Sequence, residues 1–190
     1  STVNLCALDV SKAIDMVNHY GLFIKLMERA IPNELLSIFE NWFKMCASCI
    51  RWGSAVSRFV SFNCEVRQGG VLSPHLFAIY IDDVINKISS NKHCCKVRFT
   101  CVSVFMYADD LLLLSPSVTY LQSIIRIAEE ELANLDMSIN ANKSTCVRIG
   151  PRYNVKCSDI TTYTGNLIPW VNTCRYLGVF FVSHRVFKCD

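Results

Sequence analysis

No stretch of this sequence approaches the roughly 18 uninterrupted apolar residues that a membrane-spanning helix needs. The longest aliphatic run, Leu111 to Leu114, has four residues and follows two aspartates, so a transmembrane reading fails. No internal repeat, low-complexity tract or Pro/Gly/Ser-rich linker interrupts the chain, and composition marks no domain boundary. Charge of one sign is also lacking: 19 Lys+Arg against 16 Asp+Glu leave +3, too mild a balance to point to nucleic acid by itself. The chain opens Ser-Thr-Val with neither Met nor a charged-then-apolar signal segment, and its first strand candidate starts almost at once. The expectation is a piece of something longer.

What is present is apolar material. Of 190 residues 52% are hydrophobic and 18% charged, which excludes disorder and supplies one sizeable core or two small ones. Charge is unevenly placed. Residues 141–190 hold seven basic and two acidic residues, a +5 tail, whereas the rest holds twelve basic and fourteen acidic. Eleven cysteines form an odd set in a chain longer than small disulfide scaffolds, which predicts reduced, intracellular thiols. Cys46 and Cys49 form a C-x-x-C, and His93-Cys94-Cys95 could supply a second half-site for zinc. Cys46 and Cys49 lie in or just after an apolar helix pattern with no matching pair nearby, and the scattered remainder reads as small hydrophobes.

The first strand candidate, Val3 to Val10, ends in Asp9-Val10 and a turn at Ser11-Lys12. Leu22, Phe23, Leu26, Met27, Ala30 and Ile31 then recur at helical spacing until Pro32, and Leu35 to Cys46 repeats the pattern. Ile50 to Phe62, with Gly53-Ser54 in the middle, predicts a hairpin. Ser73-Pro74 marks a helix start, with serine as N-cap and proline at a position whose N–H has no partner. Val97 to Met106 and Leu111 to Ser115 read as strands flanking a turn, Tyr107-Ala108-Asp109-Asp110. Leu121 to Leu135 is helical, and Thr145 to Ile149, Thr161 to Thr164 and Arg175 to Val182 are strand candidates. The class predicted is α+β, an antiparallel sheet backed by helices near residues 21–50, 74–90 and 117–136.

Asp109 and Asp110 stand between two apolar strands, where burying an unpaired carboxylate is costly. Beside another strand ending in Asp9, they could gather anionic oxygens around hard cations. An Asp pair is also common in tight turns. The pair Asp82-Asp83 and the triple Glu129-Glu130-Glu131 read as solvated helix faces, and His19, His75 and His184 have no partners at ligand spacing.

The combination resembles a reverse transcriptase palm of the non-LTR (LINE-like) retrotransposon type. Leu8-Asp9-Val10-Ser11-Lys12-Ala13-Ile14-Asp15, running on to His19, is similar to that family's first palm motif. Arg67-Gln68-Gly69-Gly70-Val71-Leu72-Ser73-Pro74 resembles the second, Tyr107-Ala108-Asp109-Asp110 the third, Leu135 to Lys143 the fourth and Tyr176-Leu177-Gly178-Val179 the fifth. Five motifs in order, at 5–19, 67–85, 104–114, 135–144 and 175–181, are specific together though weak singly, and they make residues 1–190 a partial reverse transcriptase domain.

The resemblance implies an RNA-directed DNA polymerase that extends a primer 3′-hydroxyl with dNTPs by two-metal-ion phosphoryl transfer. Its cofactor would be Mg2+, two ions, with Mn2+ as a substitute. Its partners would be an RNA template, a DNA primer and dNTPs, and no membrane. It makes Asp9, Val10 through its carbonyl, Asp109 and Asp110 metal ligands, and Lys143 a group that stabilises or protonates the leaving pyrophosphate. Val10, Ile14, Gln68 and Gly69 would lie against the nucleotide, and Tyr176, Leu177 and Gly178 would form the primer grip. Ile14 departs from the family's Phe or Tyr, the aromatic that packs on the sugar and excludes a 2′-hydroxyl. Asp136 stands where glycine is common and would strain a left-handed turn.

The resemblance implies fingers upstream and a thumb downstream that are expected to be largely missing here, so little or no polymerase activity is expected of this chain alone. A rival reading is a non-catalytic, degenerate retroelement remnant that binds nucleic acid through its basic tail. A group II intron maturase or a telomerase-like relative would share the palm; the Ser-Lys-Ala-Ile-Asp run favours the retrotransposon type. An intracellular site follows from the thiols, and a nuclear one is implied for the parent element.

Overall fold

The computed structural model describes residues 1–11, 13, 15–61, 70–91 and 94–189. They fall into two compact units, residues 1–13 with 81–190, and residues 14–80. In chain order the elements are β1 (Val3–Ser11), α1 (His19–Glu28), α2 (Asn33–Lys44), β2 (Ala47–Ser48), β3 (Arg51–Trp52), β4 (Ala55–Val56), β5 (Val60–Ser61) and α3 (Ser73–Ser89). There follow β6 (Lys96–Val97), β7 (Thr100–Cys101), β8 (Val104–Tyr107), β9 (Asp110–Ser115), α4 (Val118–Ala133), β10 (Ser138–Ile139), β11 (Thr145–Ile149), β12 (Ile160–Thr161), β13 (Leu167–Ile168), β14 (Thr173–Tyr176) and β15 (Val179–Val182).

The larger unit is built on β1, which has antiparallel neighbours on both sides. One side is β9, itself paired with β8; the other is shared by β11 along Val3 to Ala7 and β10 along Val10 and Ser11. Side chains alternate across this sheet. Cys6, Leu8 and Val10 of β1 and Leu111 and Leu113 of β9 are buried on the face that meets α4, whose Leu121, Ile124, Ile125, Ala128 and Leu132 recur on one stripe and are buried in turn. Each such leucine removed from water contributes about 2 kcal/mol. The opposite face carries Leu5, Leu112, Val147 and Ile149, packed with Cys174 of β14 and with Tyr176 and Phe181 of the β14–β15 hairpin. Gly150 closes β11 with φ +120°, and a Cβ there would meet the backbone of Ser1 and Thr2 at 2.7–2.8 Å, so only glycine fits.

In the smaller unit Asn18 caps α1, its carboxamide oxygen accepting from the Tyr20 and Gly21 amides. The helix ends in a Schellman motif: Ile31 N donates to Leu26 O and Ala30 N to Met27 O, with Ala30 at φ +55°. α4 ends the same way. Met137 N donates to Leu132 O and Asp136 N to Ala133 O, and Asp136 has the left-handed φ (+59°) expected of it.

Several elements differ from expectation. The Val97–Met106 strand is broken: Arg98 (φ +58°) and Phe99 form a two-residue turn between β6 and β7, and the sheet strand starts only at Val104. Ser103 causes the offset, its hydroxyl accepting from Cys95 N while Val102 N donates to Cys95 O. The Thr161–Thr164 strand stops at Thr161, because the Thr162 hydroxyl accepts from Asn166 N and folds the next residues into a turn. Arg175–Val182 is a hairpin rather than one strand. The helical stretch expected to reach residue 50 ends at Lys44. Ser73 lies inside the first turn of α3, not before it. The hairpin around Gly53-Ser54 is present as β3–β4, enclosed by the pairing of β2 with β5. All described cysteines are free thiols, and among the described residues no helix is long and apolar enough to cross a membrane.

Candidate active site

The third motif is the tip of the β8–β9 hairpin. Tyr107 pairs with Asp110, leaving Ala108 and Asp109 as a two-residue loop. Only the first of these has positive φ (Ala108, +50°), the sign pattern of a type II′ turn, which matches the twist of the strands it joins. β1 reads into this turn: Val10 N donates to Asp109 O at 3.1 Å. Because N–H and C=O of one residue in an extended strand point to the same side, the Val10 carbonyl also lies on the hairpin side.

Asp9 is the register partner of Asp110 across β1 and β9. The backbone groups of Asp9 are used on the other side, where its N–H donates to Ser144 Oγ (3.1 Å) and its carbonyl accepts from Asn140 N (2.9 Å). Asp9 and Asp110 therefore form a narrow, non-hydrogen-bonded pair, the geometry in which opposite side chains come closest. Both are half-buried on the sheet face shared with Leu112 and Tyr176. Partial burial, then the charges of Asp109 and Asp9, push the Asp110 carboxyl above its ordinary value. Lys143 brings its Nζ to 3.9 Å from Asp9 Oδ1, a loose pair whose lysine side chain is 70% exposed.

Tyr176 approaches from the β14–β15 hairpin, whose loop residues Leu177 (φ +49°) and Gly178 (φ +83°) both have positive φ, as a type I′ turn requires. The Tyr176 hydroxyl donates to Asp110 O at 3.5 Å. Burial and the Asp110 charge raise the Tyr176 phenol above its usual value. An apolar groove of about 690 Å³ runs along the same sheet face, walled by Phe105, Tyr107, Leu112, Leu114 and Tyr176 with Arg185 at its side.

The structure thus gathers Asp9, Val10, Asp109, Asp110 and Lys143 at one end of the sheet and sets Tyr176 beside Asp110. Ile14, Gln68 and Gly69 lie outside the described residues. Among the described residues no group of three or more His, Cys, Asp or Glu side chains is arranged to hold a metal ion, so the three aspartates share a location without forming a closed coordination shell. Their chemistry suits a hard cation: oxygen donors, and a carboxyl lifted by partial burial and then by like charge, which a cation would offset. Asn140, part of the stretch similar to the fourth motif, and Ser144 fasten Asp9 from behind; Ser144 has no short-range sequence signal, because its partner is 135 residues away.

An antiparallel sheet backed by helices, with carboxylates at a hairpin tip and on the strand beside it, defines a polymerase palm. The chain belongs to the reverse transcriptase (RNA-dependent DNA polymerase) family, whose family model matches residues 3–181. It is 27% identical over 188 residues to the retrovirus-related Pol polyprotein from type-1 retrotransposable element R2 of Popillia japonica, covering 95% of this chain and 26% of that protein. It is 25% identical to the RNA-directed DNA polymerase from mobile element jockey of Drosophila funebris, covering 96% of this chain and 20% of the relative. The chain therefore spans about a quarter or less of these two relatives. Among solved structures, apo telomerase from Candida tropicalis truncated from its C-terminal domain matches with a TM-score of 0.63 at 12% identity over 100% of this chain and 36% of that one. A complex of the same organism's telomerase with a telomeric RNA fragment gives 0.65 at 10% identity, covering 100% and 30%. At such identities the likeness concerns the fold alone.

Proposed function

We propose that residues 1–190 are a partial reverse transcriptase domain, the palm of an RNA-directed DNA polymerase, which in its complete protein extends a primer 3′-hydroxyl with dNTPs along an RNA template. The observation that carries the reading is the narrow pairing of Asp9 with Asp110, with Asp109 at the adjoining hairpin tip. Asp9, Asp109, Asp110 and the Val10 carbonyl would hold two Mg2+ ions, with Mn2+ as a substitute. Held by these residues, such ions would supply activation of the attacking hydroxyl and charge stabilisation for the leaving pyrophosphate.

The chain's own residues do the positioning. β1 and the β8–β9 hairpin fix three carboxylates at one sheet end, and Lys143 offers a cation to charge developing on the leaving group. Tyr176, Leu177 and Gly178 present a hairpin tip to the primer end, with Tyr176 fixed to the strand that carries Asp110. Gln68, Gly69 and Ile14 are assigned to the nucleotide by the motifs alone, and copying by the parent element is placed in the nucleus.

The test is template-primer extension by this chain and by a longer protein that includes the flanking segments. This chain alone is expected to give little or no product, and the longer protein a Mg2+-dependent product. Replacing Asp109 and Asp110 by Ala in the longer protein should abolish synthesis, and retained synthesis would sink the assignment. Salt-sensitive nucleic-acid binding indifferent to Mg2+, without synthesis, would instead favour the non-catalytic remnant that binds through the basic tail.

A further inference from the structure

The ladder on one side of β1 changes partner at Asp9. Up to Ala7 the strand pairs with β11 (Ala7 with Thr145), and from Val10 it pairs with β10 (Val10 with Ile139). Residues 140–144 turn out of the sheet between these two runs, so no backbone carbonyl from β10 or β11 lies opposite the Asp9 N–H. The Ser144 hydroxyl takes its place. Its Oγ accepts from Asp9 N at 3.1 Å and donates to Asn140 O at 2.8 Å, while Asn140 N donates to Asp9 O at 2.9 Å. Ser144 is wholly buried, with 0% of its surface exposed. The turn so fastened also carries Lys143, whose Nζ lies 3.9 Å from the Asp9 carboxylate.

We propose that Ser144 is a positioning residue for the metal-binding carboxylate: its hydroxyl completes the β1 ladder at Asp9 and thereby sets both the Asp9 side chain and the Lys143 turn. A side chain that fills a backbone place in a sheet fixes the direction in which the backbone there presents its own side chain. Here the backbone presents Asp9 to the face where Asp110 stands. The inference rests on the reading of Asp9 and Asp109 as ligands.

The experiment uses this chain with Mn2+ as the probe, followed by electron paramagnetic resonance of the free ion, together with amide hydrogen exchange at Asp9. Ser144→Ala should weaken Mn2+ binding about tenfold or more, the range for residues that orient a metal ligand. The same variant should speed exchange of the Asp9 amide and leave the Leu5 and Cys6 amides as they are. Ser144→Cys, of similar size but a weak acceptor, should behave like Ser144→Ala, and Ser144→Thr should restore both readouts. A purely structural role would lower the melting temperature yet leave Mn2+ affinity of the folded chain unchanged, and that result would overturn the proposal. Wild-type binding no tighter than that of Asp109→Asn would overturn the metal reading and the proposal with it. The two failures are distinct, because the difference in Asp9 exchange would persist in the second.

Discussion

Replacing Asp110 by Asn should stabilise the fold in the absence of divalent ions and cost it the ability to be stabilised by them. Asp9 and Asp110 face each other in a narrow pair, and like charges so placed are destabilising. Two carboxylates about 5 Å apart repel by about 0.8 kcal/mol even at the dielectric constant of water. Partial burial of Asp110 raises that figure and salt lowers it, so the variant should gain about 1 kcal/mol at low ionic strength. For a chain of this length that is about 2–4 °C in Tm. The pH dependence carries its own signature. Folded Asp110 holds its proton to higher pH than the unfolded chain does, so wild-type stability falls as pH rises from the usual aspartate range through the raised folded value. The Asn variant lacks that slope. Thermal melts in EDTA and low salt at several pH values, repeated with Mg2+, provide the measurement. In Mg2+ the wild type should gain by ligand linkage and the variant should gain less. A variant melting at or below the wild type in EDTA would refute the repulsion on which the reasoning stands.

Two further outcomes are expected. Ala30 is exposed at φ +55°, where an L-residue costs about 1–2 kcal/mol, so Ala30→Gly should raise the urea midpoint by a net gain of about 0.5 kcal/mol after glycine's entropic cost. Asp136→Gly should gain less, since aspartate tolerates that conformation better, and Ala30→Val, if as stable as Ala30→Gly, would disprove the strain. Burial, first of all, holds the Cys6 thiol well above its ordinary value, with Cys146 as a buried neighbour, so iodoacetamide on the native chain should label the exposed Cys189 and spare Cys6, Cys146 and Cys174. Mass-spectrometric mapping that finds Cys6 modified before Cys189 would contradict the burial described.

The hairpin tip that carries Asp109 and Asp110 was legible because a carboxylate pair between two apolar runs has few places to go, and the strand ending in Asp9 because β1 is long enough to show its pattern. α4 was legible for the same reason: its apolar stripe is five residues deep on one face. The β6–β7 turn was not, because it is made by Arg98 and Phe99 inside a run of β-favouring residues, with no glycine or proline to mark it. The same holds for the positive φ values at Ala30, Ala108 and Leu177, all held by surrounding hydrogen bonds rather than announced by residue type. Ser144 was hidden for another reason. Its partner on β1 is distant in sequence, and a serine after a lysine has no periodicity to betray it.

The central strand imposes an order on the chain's birth at the ribosome. β1 leaves the ribosome before the strands it pairs with, which lie at 110–115 and 138–149. About a hundred residues must emerge before either edge of β1 is covered, which at 5–20 residues per second is about 5–20 s. Residues 14–80, contiguous and already compact as a unit, are complete well before then. Throughout that interval an apolar strand lacks β9, β10 and β11, the strands that cover its two edges, and unpaired edges are templates for pairing with other chains. Nascent copies of this protein should therefore depend on a holding chaperone near the exit tunnel, and slowing translation between β1 and β9 should lower the yield of folded chain.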